Sequence, residues 1–223
     1  MQIIIPMSGF GERFRAAGYT IPKPLIEVEG KPIIQHVVEM FPGEEDFVFI
    51  CNEDHLLNPV YRMREILEDI SPKGRIISIK PHKLGPVYAV IQSLDGIDLK
   101  KPTIVNYCDF TCYWDYSHFT DFVKRVNADG VIPSYRGFHP HTLWSNYYAY
   151  VEENNYRAFD IQEKQPFTTN PKEEFASSGT YYFKTGALMW KYFQRCMDEE
   201  LMVSNEYYVS MVYKPMMQDN LKV

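Results

Sequence analysis

The sequence predicts an α/β fold: a Rossmann-like three-layer sandwich on a mixed, mostly parallel sheet, with a small antiparallel extension. Three observations carry that expectation. The chain opens with Ile3-Ile4-Ile5, an apolar β-branched run typical of a strand buried on both faces. Strand-like and helix-like segments then alternate as far as residue 109, as they do in crossover units on a parallel sheet. Later, Tyr147 to Val151 and Ala158 to Ile161 read as antiparallel strands around the polar turn Glu152-Glu153-Asn154-Asn155.

Taken in order, the first strand is expected to end at Pro6, before a loop containing Gly9 and Gly11. Pro32 suits the first turn of a helix whose apolar positions are Ile33, Ile34, Val37, Val38 and Met40. Residues 46–51 form a second buried strand. Residues 58–70 read as one amphipathic helix, with Val60, Met63, Ile66, Leu67 and Ile70 at helical spacing. Arg75 to Ile79 gives a third strand, and residues 103–109 a fourth that ends on Asp109. Asp115 to Val126 is a helix, Val131 to Tyr135 a strand, and Glu206 to Met217 a helix.

Composition sets the outer bounds. A chain of 223 residues, 45% hydrophobic and 23% charged, fits one α/β domain with a sizeable core. The longest apolar runs are too short to span a bilayer. A net charge of −6 argues against a general nucleic-acid binder. No export signal is legible at the start, so a cytoplasmic protein with reduced thiols is expected. The four cysteines, Cys51, Cys108, Cys112 and Cys196, form no C-x-x-C pair and suggest no zinc site.

The first 34 residues carry the chemistry. A strand running into a flexible loop exposes successive backbone N–H groups that can cradle phosphate oxygens. Gly9 and Gly11 let the backbone approach a ligand closely, and Arg13 and Lys23 can add positive charge. A dinucleotide fingerprint would need Gly where Phe14 stands, and a P-loop would need Gly-Lys-Ser/Thr. A plain strand–turn–helix with two surface cations is the remaining structural reading.

The strand, the Gly-x-Gly-x-Arg loop, Pro22-Lys23-Pro24-Leu25 and Gly30-Lys31-Pro32-Ile33 together resemble the signature of the sugar-phosphate nucleotidyltransferases. The resemblance runs almost the whole length, so residues 1–223 read as a single nucleotidyltransferase domain. It implies that the antiparallel extension lies on the acceptor side. It also implies that Met7, Ser8, Gly9, Phe10 and Gly11 bind nucleotide, with Arg13 and Lys23 catalytic. Lys83, Gly85 and Pro86 match the turn that packs on the base, although Gly85 could equally serve geometry alone. Asp109 matches the carboxylate that binds Mg²⁺, with Mn²⁺ as a substitute; the bland reading makes it a helix cap.

Glu163-Lys164 resembles the motif that contacts the phosphorylated acceptor, with Gln165 intervening before Pro166. Ser177-Ser178-Gly179-Thr180-Tyr181-Tyr182-Phe183 resembles the strand that lines the acceptor pocket, and Gly179 is assigned there. Glu206-Tyr207 matches a common pair, with a helix-surface pair as the alternative. His139 and His141 lack a third ligand nearby, so their loop reads as lying near the acceptor, with its aromatics packing. Within the family, Ile5-Pro6-Met7-Ser8-Gly9 and Ala17-Gly18-Tyr19 are similar to the short capsule-associated bacterial enzymes, phosphoglutamine cytidylyltransferase among them.

The resemblance implies transfer of a nucleotidyl group, CTP favoured, to a phosphorylated small-molecule acceptor, in the making of capsule or surface polysaccharide. No nucleic-acid or membrane partner is expected, and a homo-oligomer is compatible. Three alternatives stand: a sugar-1-phosphate enzyme using another base, a glycosyltransferase, and a non-catalytic regulatory domain. The glycosyltransferase would want Asp-x-Asp where Asp109-Phe110-Thr111 stands. The regulatory domain would be expected to lose Arg13 or Lys23. Leu221-Lys222-Val223 reads as the start of a strand, so the natural chain is expected to continue beyond Val223, where a second metal carboxylate would lie.

Overall fold

The computed structural model describes residues 1–139 and 146–223. A six-stranded sheet in the order β5-β4-β1-β6-β12-β7 forms its centre. These strands are β1 (Gln2–Met7), β4 (Asp46–Asn52), β5 (Arg75–Ile79), β6 (Thr103–Asn106), β7 (Gly130–Val131) and β12 (Thr180–Phe183). β5, β4, β1 and β6 run parallel, while β12 is antiparallel to both β6 and β7. A second, four-stranded antiparallel sheet has the order β10-β9-β11-β8. It contains β8 (Ser134–Tyr135), β9 (Ala149–Asn154), β10 (Arg157–Glu163) and β11 (Phe175–Ser177). A short hairpin, β2 (Glu27–Val28) with β3 (Lys31–Pro32), turns at Glu29 and Gly30, both at positive φ.

Helices cover both faces, so alternate residues of each central strand enter different cores. Ile4, Val48 and Ile50 face α5 (Gly85–Ile91), α7 (Gly186–Asp198) and α8 (Tyr213–Gln218). Ile3, Ile5, Phe47 and Phe49 face α2 (Ile33–Glu39), α4 (Met63–Ile70) and α6 (Tyr116–Val126). That is why β1 is apolar throughout rather than alternating.

Several expected boundaries move. β1 runs through Pro6 to Met7, because its ladder with β6 ends at Ile4 and leaves room for a residue without an N–H. The expected helix over 58–70 starts only at Met63. Arg62 is left-handed, Val60 is exposed, and the separate α3 (Glu53–Leu57) is capped by the Asn52 side chain. The 131–135 strand breaks at Ile132-Pro133, and the expected strand from Ser177 to Phe183 breaks at Ser178-Gly179. Each half joins a different sheet, and Ser178 N–H donates to Pro133 O at 3.0 Å across the two breaks. The 147–161 pair is borne out as β9 and β10, joined through Asn155 and Tyr156 at positive φ.

Glu206 and Tyr207 lie outside any helix. The chain around them forms an isolated bridge, Val203 to Glu206, with Ser204 and Asn205 at positive φ. Helical structure begins only at Ser210. Leu221-Lys222-Val223 belongs to no strand, but the segment is tied down: the N–H groups of Asp129 and Gly130 donate to Lys222 O, and that of Ala158 to Val223 O.

Candidate active site

The chain leaves β1 toward β4 and β5, then returns to place β6 on the other side of β1. The carboxyl ends of β1 and β6 therefore flank a switch in strand order, where an open α/β sheet offers a crevice for ligands. The glycine loop leaves β1 here, and Asp109 follows β6. Ser8 is buried and fixed by two contacts: Asn52 Nδ2 donates to its carbonyl at 3.2 Å, and its Oγ lies 3.1 Å from His82 Nε2. A Cβ added at Gly9 would meet nothing within 4 Å, so the loop faces open space there. Gly11 is left-handed (φ 62) at the start of α1 (Glu12–Ala16), and an added Cβ would touch Lys23 Cβ at 3.4 Å. The Pro-Lys-Pro segment thus lies directly on the glycine loop.

Lys23 forms an ion pair with Asp109, which brings together two of the expected residues from distant parts of the chain. Lys23 Nζ also lies 5.3 Å from the Phe14 ring centroid, and the Arg13 guanidinium sits 4.8 Å over Tyr147. Asp109 does not cap α6; Asp115 does, its side chain accepting from His118 N–H. Burial pushes the neighbouring Cys108 thiol up to about 12, which makes it inert. Among the described residues no group of three or more His, Cys, Asp or Glu could hold a metal ion. Asp109 is the carboxylate at the crevice, and one carboxylate suits a Mg²⁺ completed by phosphate oxygens and water.

The second wall is the turn before α5. Lys83 pairs with Glu12 across the mouth of the loop, and Glu12 is thereby held below the usual carboxylate range. Gly85 is at φ 85, and a Cβ there would lie 2.8 Å from both the N and O of Tyr207. Geometry alone therefore requires glycine. Tyr207 N–H donates to Leu84 O, and Val87 N–H donates to Tyr207 O. The Glu206-Tyr207 pair is thus the backing of this turn rather than a helix-surface pair.

On the antiparallel side, Glu163 is buried and accepts from Ser210 Oγ at 2.6 Å. Burial pushes its carboxyl up to about 7. Lys164, left-handed at φ 59, donates to Tyr208 OH and lies 4.3 Å over that ring. Gly179 is at φ 73, and an added Cβ would lie 3.2 Å from Tyr107 and 3.4 Å from Phe110. Beside Asp109 opens a cleft of about 460 Å³, with Phe110, Cys112, Trp114, Tyr135, His139 and Ser178 among its lining residues. The hydroxyls of Tyr135 and Ser178 are buried and have no hydrogen-bond partner among the described residues. His141 lies outside the described residues.

Sequence reasoning missed His82, Tyr147, Tyr208 and Ser210. Tyr208 follows the Glu206-Tyr207 pair directly, and His82 precedes Lys83, so adjacency to a matched motif was the available signal.

The profile of the family described as "Nucleotidyl transferase" matches residues 2–216. The mannose-1-phosphate guanyltransferase of Yarrowia lipolytica is 30% identical over 143 residues, covering 59% of this chain and 37% of that one. The bifunctional protein GlmU of Methanocaldococcus jannaschii is 25% identical over 184 residues, covering 82% of this chain and 40% of the other. The chain therefore spans less than half the length of these relatives. Among solved structures, an inositol-1-phosphate CTP transferase from T. maritima superposes with a TM-score of 0.73 at 16% identity, covering 100% of this chain and 83% of that one. A UDP-glucose pyrophosphorylase complexed with UDP-glucose gives 0.72 at 17% identity, covering 100% and 88%. These two likenesses bear on the fold.

Proposed function

Because the chain belongs to the nucleotidyl transferase family, we propose that it joins a nucleoside triphosphate to a phosphorylated small molecule and releases pyrophosphate. The single observation that carries the reading is the pairing of Lys23 with Asp109 directly over the glycine loop, at the switch in strand order. An acceptor phosphate oxygen attacks the α-phosphorus; the new P–O bond forms as the bond to the β-phosphate oxygen breaks, and pyrophosphate leaves. The attacking phosphate is already ionised, so no general base is required. Both reactants are anions, so holding them together and offsetting their charge is the main task.

In this reading Lys23 bridges the attacking and α-phosphates. Arg13 and the N–H groups of the loop, residues 7–11, hold the β- and γ-phosphates. Lys83, Gly85 and Pro86 form the base side. Asp109 would hold Mg²⁺ or Mn²⁺, which when bound neutralises charge on the leaving group. Glu163, Lys164 and Gly179 border the acceptor, whose body enters the cleft beside Phe110.

CTP is the favoured donor and a phosphoglutamine-like molecule the first acceptor to try, both on sequence resemblance alone. The names of the curated relatives favour a sugar 1-phosphate instead, with another base. A role in capsule or surface-polysaccharide synthesis, in the cytoplasm, belongs to the same reading. The test is a matrix of the four triphosphates against phosphoglutamine and several sugar 1-phosphates, read by pyrophosphate release. A clear preference for UTP, GTP or dTTP would move the assignment to a sugar-1-phosphate enzyme. No release with any pair, in the presence of Mg²⁺, would overturn nucleotidyl transfer.

A further inference from the structure

We propose that His82 is a positioning residue that clasps the glycine loop to the Leu84–Pro86 turn, holding the two halves of the nucleotide site in register through one imidazole tautomer. This rests on the nucleotidyl-transfer reading and assigns a residue outside the matched motifs.

The geometry fixes the tautomer. Leu84 N–H donates to His82 Nδ1 at 3.2 Å. A nitrogen that accepts carries no proton, so the neutral ring keeps its proton on Nε2. Nε2 lies 3.1 Å from Ser8 Oγ and therefore donates to it. Ser8 is in turn held through its carbonyl by Asn52 on β4. The residue directly before Gly9 is thus pinned from both sides, once by the central sheet and once by the turn. Tyr88 of α5 packs on the imidazole, with ring centroids 4.8 Å apart.

The groups around the ring favour the neutral form. Burial holds its pKa below the ordinary 6.5, outweighing Glu206, whose charge acts the other way from the segment behind the turn. Lys83, next in the chain, is engaged with Glu12. Protonation would put a proton on Nδ1, facing the Leu84 N–H. Two donors cannot bond, so the turn would lose its anchor and the loop its tether. The clasp is therefore closed while the ring is neutral, and it opens as pH falls through a value below 6.5.

The test is calorimetric binding of the magnesium complexes of CTP, UTP, GTP and dTTP to the whole chain, at about pH 7.5 and about pH 5.5. The variants are His82→Asn, His82→Ala, Ser8→Ala and the Ser8→Ala/His82→Asn double. Asn can still accept from Leu84 N–H as in an Asx turn, but it is too short to reach Ser8, so it keeps the turn and cuts the link. Each single variant should weaken triphosphate binding about five- to tenfold at the higher pH, the scale of one hydrogen bond. The double should be no weaker than either single. Wild type should lose about the same factor on acidification beyond the loss in the variants, which report the ligand's own titration. Nitrogen-15 NMR of the imidazole should show a protonated Nε2 and a bare Nδ1. Variants that bind like wild type, additive single effects or an Nδ1–H tautomer would overturn the clasp. Wild type that binds none of the four triphosphates would overturn nucleotide binding, and the clasp's role with it.

Discussion

Replacing Glu163 by Gln is expected to stabilise the fold above neutral pH and to leave it nearly unchanged near pH 5. Glu163 ends β10 at 7% exposure, and Ser210 Oγ donates to its carboxyl. Burial raises its pKa from 4.5 to about 7; the Ser210 hydrogen bond and the charge of Lys164 oppose the shift, and the charge of Glu206 adds to it. The folded state thus keeps a proton that the unfolded chain releases above 4.5. The stabilisation from that proton is fully present below 4.5 and is lost as pH rises through about 7. A rise of about 2.5 pK units, from 4.5 to 7, corresponds to about 3 kcal/mol of ionisation penalty at pH 8.5. Gln has the same shape, can accept from Ser210 through its amide oxygen, and carries no charge. For a chain of 223 residues, that penalty is worth roughly 6–12 °C in Tm. Thermal melts of both proteins at the two pH values measure the difference. Equal increments at both, or a loss at the higher pH, would refute the burial argument. The same variant should lose turnover, since a buried acid kept at a cost in stability is characteristic of a functional position.

Lys23→Ala should lower kcat by about 100-fold or more, equivalent to about 3 kcal/mol, with little change in Tm; steady-state kinetics with near wild-type kcat would remove Lys23 from the chemistry. Asp109→Asn should abolish the dependence of turnover on Mg²⁺ or Mn²⁺, measured by metal titration, and an unchanged metal profile would reduce Asp109 to the ion pair with Lys23. Gly85→Ala should destabilise by about 1–3 kcal/mol, because a Cβ would strike the Tyr207 backbone at 2.8 Å from a left-handed position. A wild-type denaturation midpoint would contradict that close packing.

The central sheet was legible because burial on two faces writes a simple signal. Ile3-Ile4-Ile5 and Phe47-Val48-Phe49-Ile50 each feed two cores, so their strands are apolar runs that need no alternation. Where the register breaks, the signal fails. Val60 has helical spacing with Met63 and Leu67, yet Arg62 turns left-handed and leaves Val60 in solvent, so the helix loses its first turn. Ile132-Pro133 and Ser178-Gly179 hand their strands from one sheet to another. Hydropathy carries no information about such a transfer, and only the Pro and the Gly hint at it. The helix α7 buries Met189, Tyr192, Phe193 and Cys196 at helical spacing, and that periodicity was available but unused.

The site was legible where a residue type has one chemical use, and obscure where a residue acts by touching another loop. Arg13 and Lys23 are named from sequence by the glycine loop they follow, and Asp109 by the strand it follows and the family motif it matches; that Asp109 meets Lys23 is visible only in the fold. Gly85 shows the limit of that logic. It stands where the family signature expects a base contact, yet the Tyr207 backbone alone excludes any side chain there. Membership in a motif therefore cannot separate a residue that binds from one that lets two segments approach. The separation has to come from neighbours whose chemistry packing does not demand. His82 and Lys83 satisfy that condition: one spends both ring nitrogens on joining two loops, and the other reaches across the mouth to Glu12. The segment that backs them, Val203 to Val209, has no helical or strand periodicity: Val203 and Glu206 bond to each other in a single isolated bridge, while Tyr207 bonds to the turn and Val209 N–H donates to Tyr107. The sequence marks Glu206-Tyr207 as a matched pair and Tyr208 only by adjacency to it, but that Tyr207 backs the turn through its backbone becomes visible only when the chain is folded.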